Sequence, residues 1–305
     1  MLYNKKGELT TKQIVIFTIL IVSFGIILFL MFRLNLGESA KKELCRDSVF
    51  RNSAGILGDI GESPLNCKRS YVCISKNGEC DKLPDPDEII KVKTKEEIYS
   101  ALADEMADCW WMFGEGELNY VSKELTSTLH CSICSQVWFD ESVGDFFENA
   151  DDFNQRNLYE YLTNEIPNKE ITYSEYLFGF KANSADDFLP EGAQFDVFSL
   201  DKPYLVMMGV FSEISTLGWV AVGGGIAAIT VGAVVFSPLV GGAIGITTVG
   251  AMVIGGSTVG GGAVAAIFSG VISNDGDKNF IYPTIIEKAS VPFEAIKCEK
   301  VVTRP

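Results

Sequence analysis

A membrane-anchored α+β domain is the architecture this sequence predicts, and three observations predict it. Residues 14–32 form an apolar run about as long as one bilayer crossing. All eight cysteines follow that run, in a stretch that mixes helical and strand periodicities. Residues 214–274 then run 61 positions without a charged side chain and hold 15 glycines, in a chain whose net charge is −15.

Composition bounds the rest. Of 305 residues, the two membrane-type segments leave roughly 200 for one soluble body of ordinary domain size. Residues 140–201 carry fifteen Asp and Glu against Arg156, Lys169 and Lys181. Such a surface repels phosphates, so nucleic acid is excluded as a partner. The block reads as a solvated acidic face, with a cation or basic partner as the alternative.

The first element is the run IVIFTILIVSFGIILFLMF, residues 14–32, which ends at Arg33 and is preceded by Lys5, Lys6 and Lys12. More positive charge lies before it than just after it, which puts the amino terminus in the cytoplasm and the main domain outside. The run is longer than the apolar region of a secretory signal and has no nearby small-x-small cleavage site.

The segment Lys5-Lys6-Gly7-Glu8-Leu9-Thr10-Thr11, leading into that helix, resembles the amino terminus of archaeal type IV prepilins. The resemblance implies cleavage after Gly7, Glu8 as the new terminus and a helix packed in a filament core. It departs at Lys12, where pilins often carry glutamate, and in the second apolar segment. The stretch CWWMFGEGEL, residues 109–118, followed by a strand with two cysteines, is similar to uncharacterised archaeal envelope proteins and implies no activity.

The cysteines are Cys45, Cys67, Cys73, Cys80, Cys109, Cys131, Cys134 and Cys298, an even set that fits up to four bridges in an oxidising compartment. Their connectivity is open, though Cys67, Cys73 and Cys80 share one turn-rich lobe. His130-Cys131-x-x-Cys134 offers a zinc or redox alternative. Against it, Leu129, Cys131, Ile133, Val137 and Phe139 alternate with His130, Ser132, Cys134 and Gln136, as in a β-strand with two distinct faces. Three strand steps part the two cysteine α-carbons by about 10 Å, beyond the roughly 7 Å that a bridge spans. Each cysteine therefore needs a partner elsewhere.

In the soluble body, Thr94 and Glu97 form a capping box. Ile98, Ala101, Leu102, Glu105, Met106, Cys109 and Phe113 follow at helical spacing, predicting a helix over 95–113 closed by Gly114. Trp110 and Trp111 read as a core plug and its flank. A strand is expected over 127–139, short helices near 154–164 and, after the capping box Thr172 and Glu175, near 173–179. Further strands are expected over 194–199, 204–211, 280–287 and 296–302, with the apolar segment inserted between two strands of one sheet. A bridged Cys298 must share the domain's side of the membrane, so the insertion crosses an even number of times.

Pro238 splits the insertion into 214–236 and 239–272, each long enough to cross as helix. The expectation is a helical hairpin. Its small residues, Gly241 with Gly245, Ala251 with Gly255, Gly256 with Gly260, then Gly262, Ala266 and Gly270, are spaced for close helix packing. Three roles remain open: a permanent two-span anchor, a hairpin that enters a second membrane, and a self-association surface.

Catalytic motifs are missing. His130 is the one histidine, and no G-x-S-x-G, phosphate loop or H-E-x-x-H occurs. Asp151-Asp152 and Asp186-Asp187 read as solvated carboxylates. Asp275, Asp277 and Asn279 have calcium-loop spacing, but Phe280 stands where the loop's glycine belongs.

The resulting partition is a stub at 1–13, a span at 14–33, an extracellular α+β domain at 34–203, a strand with the glycine-rich hairpin at 204–272, and closing strands at 273–305. The expected role is non-enzymatic: a cell-surface protein for adhesion, cell contact or appendage assembly, with the lipid bilayer and a surface protein or second copy as partners. No cofactor or metal is expected. The alternative is a pore-forming or fusion-like effector.

Overall fold

The computed structural model describes residues 11–33, 36–53, 65–118, 120–121, 129–164, 166–167, 169–188, 195–211, 249–255, 265–272, 279–296, 298 and 300–305. These fall into two compact units, residues 1–41 and 42–305.

The first unit contains helix α1 (Thr11–Arg33). Residues 12–30 are long and apolar enough to cross a membrane, and none is buried. Two polar side chains in the run are satisfied within the helix. Thr18 Oγ1 donates to the Ile14 carbonyl at 2.9 Å and Ser23 Oγ to that of Leu20 at 3.0 Å, as a lipid environment requires.

The second unit is built on a mixed sheet. Its strands are β1 (Ser70–Ser75), β2 (Glu88–Lys91), β3 (Leu129–Phe139), β4 (Tyr204–Phe211), β5 (Val249–Gly255), β6 (Ala265–Ile272), β7 (Asn279–Glu287) and β8 (Lys300–Val301). The order is β2-β1-β3-β4-β7-β6-β5, with β8 beside β3. β2, β1, β3 and β8 pair in parallel, and β3 through β4, β7, β6 and β5 pair antiparallel. The expected insertion between two strands of one sheet is present, because β4 and β7 are direct neighbours from Tyr204 opposite Glu287 to Phe211 opposite Asn279.

Helix α3 (Lys95–Met112) covers one side of the sheet. Thr94 caps it, its side chain accepting from the Glu97 N–H at 3.2 Å. The expected face is the buried one, with Ile98, Leu102, Met106, Cys109 and Phe113 sealed. Trp110 packs its ring on Tyr282 at 5.5 Å and Phe280 at 6.3 Å. Gly114, Glu115 and Gly116 then turn the chain with positive φ. At Gly116 a Cβ would stand 2.8 Å from the Trp110 ring. Helices α2 (Leu36–Ser53), α4 (Gln155–Tyr161) and α5 (Tyr173–Phe178) complete the described α-helices before β4, together with three short 3-10 turns. Helix α6 (Val291–Ile296) runs against β7 and β5.

Four expectations are corrected, three of them local. The single apolar face of β3 is split by a bulge between Ile133 and Ser135. Cys131 and Ile133 pair with Gly209 and Met207, whereas Val137 pairs with Tyr204 and so joins the other face, toward α3. Both faces are buried, which is why alternation in the sequence gave no warning. Residues 195–199 are not a strand. Phe198 instead packs between Phe153 and Tyr204, with ring centroids 4.9 and 5.1 Å away. Its N–H donates to the Phe153 carbonyl at 2.7 Å. The expected strand at 296–302 shrinks to β8, because α6 occupies residues through Ile296.

The largest correction concerns the glycine-rich insertion. Its described parts are strands, not helices: β5 pairs antiparallel with β6 from Val249 opposite Val271 to Gly255 opposite Ala265, and β6 continues onto β7. β-Branched residues (Val249, Val253, Ile254, Ile267, Val271, Ile272) are common in both stretches, and they favour a pleated surface over a helix. β7 supplies an edge on which to build. Residues 212–248, 256–264 and 273–278 lie outside the described residues.

Candidate functional site

Charged and bonded side chains gather in two places: a polar seam between α2, α3 and α5, and the junction where the insertion leaves the sheet.

The seam begins with a helical periodicity that puts Glu105 on the buried face of α3, where it is 6% exposed. Its counter-charge comes from α2. Lys42 Nζ lies 3.9 Å from Glu105 Oε1 and donates to Asp108 Oδ2 at 2.5 Å. Burial pushes the Glu105 carboxyl above its ordinary range, against the opposing pull of Lys42 and the Ser135 hydroxyl. Lys42 moves well above its ordinary value, because Glu105 and Asp108 together outweigh its own desolvation. One turn on, Arg46 donates to the Trp111 carbonyl at 2.8 Å, pairs with Glu115 at 3.3 Å and covers the Trp111 ring at 4.4 Å. From α5, Tyr173 donates to Asp104 at 2.6 Å and Tyr176 to Glu115 at 2.7 Å. Burial raises both phenols first, and the carboxylates they face raise them further. At neutral pH the lysine stays protonated and the phenols remain donors. The seam therefore clamps three helices and supplies no nucleophile.

The insertion junction is framed by covalent bonds. Cys131 of β3 is bonded to Cys298 with α-carbons 5.6 Å apart, and Cys109 of α3 is bonded to Cys134 of β3 at 5.5 Å. As expected from strand geometry, the two cysteines of the C-x-x-C motif take different partners. The segment after Cys298 follows β3: Val302 N–H donates to the Cys131 carbonyl at 2.9 Å and Ile133 N–H to Thr303 Oγ1 at 3.1 Å. Cys73–Cys80 closes the local lobe, and Cys67 leaves that lobe to bond Cys45 on α2. No cysteine is free.

Of the expected packing residues, Gly255 ends β5 and Ala266 and Gly270 lie in β6. Gly270 stands between Gly250 of β5 and Ile281 of β7. The helical spacing assigned to them has no meaning in a strand. Gly241, Gly245, Gly260 and Gly262 fall outside the described residues, as do Gly7 and Glu8.

His130 is buried in β3. Asp186 forms a two-point pair with Arg156 at 2.6 and 2.8 Å. Asp187 accepts from the Asn183 N–H at 2.7 Å, and Asp152 sits in the cap at Asn149. These carboxylates do structural work. Among the described residues no group of three or more His, Cys, Asp or Glu could hold a metal ion. The calcium-like spacing at 275–279 lies mostly outside them.

Sequence reasoning placed Glu105 on the buried face but missed its partner. A glutamate at a core position of an amphipathic helix is the signal, since such a group needs a cation. Compared with protein-family models, curated proteins and solved structures, the chain matches none.

Proposed function

We propose that this chain is a membrane-anchored, non-enzymatic cell-surface protein in adhesion, cell contact or appendage assembly, with the uncharged insertion as its contact element. The observation that carries the reading is the exit of the insertion from two adjacent strands, β4 and β7, of a sheet whose neighbouring strand β3 carries two disulfides. A rigid frame of this kind suits a segment meant to be displayed. The four bridges suit an extracellular location, and α1 suits the anchor, with its lysines on the cytoplasmic side.

The membrane-perturbing alternative ranks second on one observation. Strands that line a water-filled barrel alternate polar and apolar residues. VGAMVIG in β5 and AAIFSGVI in β6 offer no polar alternation.

The test is labelling of single cysteines placed at Ser237 and Ser273 in intact cells, with native bridges left oxidised. Both should be reached from outside. Labelling of Ser237→Cys only from the cytoplasm would return the insertion to the role of a resident anchor. A companion chain with 212–278 replaced by an Asn-Gly turn, which can join the opposed Phe211 and Asn279, should still reach the surface and lose cell contact or assembly.

A further inference from the structure

The two ends of the sheet are built differently. β2 is four residues long, opens on Glu88 and closes on Lys91, which are the devices that keep an edge strand from pairing with another chain. β5, at the opposite end, has seven residues and no charge, and β6 is its one strand partner among the described residues, with α6 also running against it. An edge strand offers its outward N–H and C=O groups as a template for a further strand.

Charge says where another copy can approach. A net charge of −15 makes two copies repel over most of their surface, whereas residues 214–274, which include β5, contribute none of that repulsion.

We propose that two copies of this chain join through β5, antiparallel and centred on Met252, so that the sheet of one continues into the other. This rests on the reading of the insertion as a contact element and names its partner. The register centred on Met252 overlaps the whole strand. It sets Val249 opposite Gly255, Gly250 opposite Ile254 and Ala251 opposite Val253, small against larger throughout. A two-fold contact uses the same edge on both copies. Because the β2 edge is charged, assembly closes at two and does not grow into a fibre.

The test uses the full chain in its membrane and in mild detergent. Met252→Cys adds the one free thiol to a chain that has none. Mild oxidation should give a disulfide-linked dimer, since opposed strand positions lie within bridging distance. Val249→Cys alone should link several-fold less, and mixing it with Gly255→Cys should restore the dimer. The unaltered chain should sediment as a dimer in detergent. A monomer that sediments alone with no Met252→Cys dimer, the result expected if residues 212–248 of the same copy cover the edge, overturns the proposal. So does equal linking at Val249→Cys and Met252→Cys. Membrane fractionation and surface labelling report separately on the anchor reading, so a membrane-bound monomer rejects this inference alone.

Discussion

Glu105 lies beneath Lys42, carboxylate and ammonium 3.9 Å apart, with the Glu105 side chain 7% exposed. The pair joins α2 to α3 and is reinforced by Asp108 at 2.5 Å from the same nitrogen. Lys42→Met removes the only cation facing a buried carboxylate among the described contacts of Glu105. The expected cost is about 3 kcal/mol. Adding Glu105→Gln should recover most of it, as urea unfolding of the four members of the cycle would show.

Glu105 also has a pH signature. Its carboxyl is held above the ordinary 4.5, so the folded state binds the proton more tightly than the unfolded one. Stability from this group grows as pH falls from neutral through the raised value toward 4.5. Relative to Glu105→Gln, the native chain should gain in urea midpoint between pH 7 and pH 4.5. A gap that moves the other way would contradict the assignment. Lys42 acts at the alkaline end: its contribution is complete below 10.5 and is lost as pH rises through its higher folded value.

Two glycines of similar backbone should respond differently to alanine. Gly116 (φ +77) and Gly179 (φ +72) are both left-handed, but a Cβ at Gly116 meets the Trp110 ring at 2.8 Å while one at Gly179 meets nothing within 4 Å. Gly179→Ala should cost about 1 kcal/mol for conformation alone. Gly116→Ala should cost about 3 kcal/mol, because overpacking adds to it. Equal losses of melting temperature would remove Trp110 from the account.

The disulfides predict a peptide map and an order of importance. Non-reducing digestion should yield Cys45–Cys67, Cys73–Cys80, Cys109–Cys134 and Cys131–Cys298. Loop closure assigns about 2 kcal/mol to the seven-residue separation of Cys73–Cys80 and about 5 kcal/mol to the 167-residue separation of Cys131–Cys298. Paired Cys→Ser variants compared by urea unfolding should follow that order.

How much of this was legible in the sequence divides along local and non-local lines. Helix α3 is set by neighbours in the chain, Thr94 with Glu97 at its start and a repeating apolar face after it, and it was read within one residue of its end. The separate partners of Cys131 and Cys134 followed from strand geometry. The Lys42 partner of Glu105 comes from a helix more than sixty residues earlier, and no local pattern announces it. The bulge at Cys134 hides for a different reason: with both faces of β3 covered, a shift of one residue leaves no polar side chain misplaced. The insertion misled because an uncharged run of glycine and β-branched residues suits a membrane helix or a strand, and the edge of β7 decides between them.

The Cys131–Cys298 bond also sets a timetable. As the chain is synthesised, Cys131 emerges long before its partner, 167 positions away in sequence, with Cys109 and Cys134 close at hand as wrong choices. The strand that carries it must wait for Cys298, while an uncharged insertion passes in between. Maturation should therefore be slow and dependent on thiol exchange, with mispaired Cys131 as its characteristic trapped species.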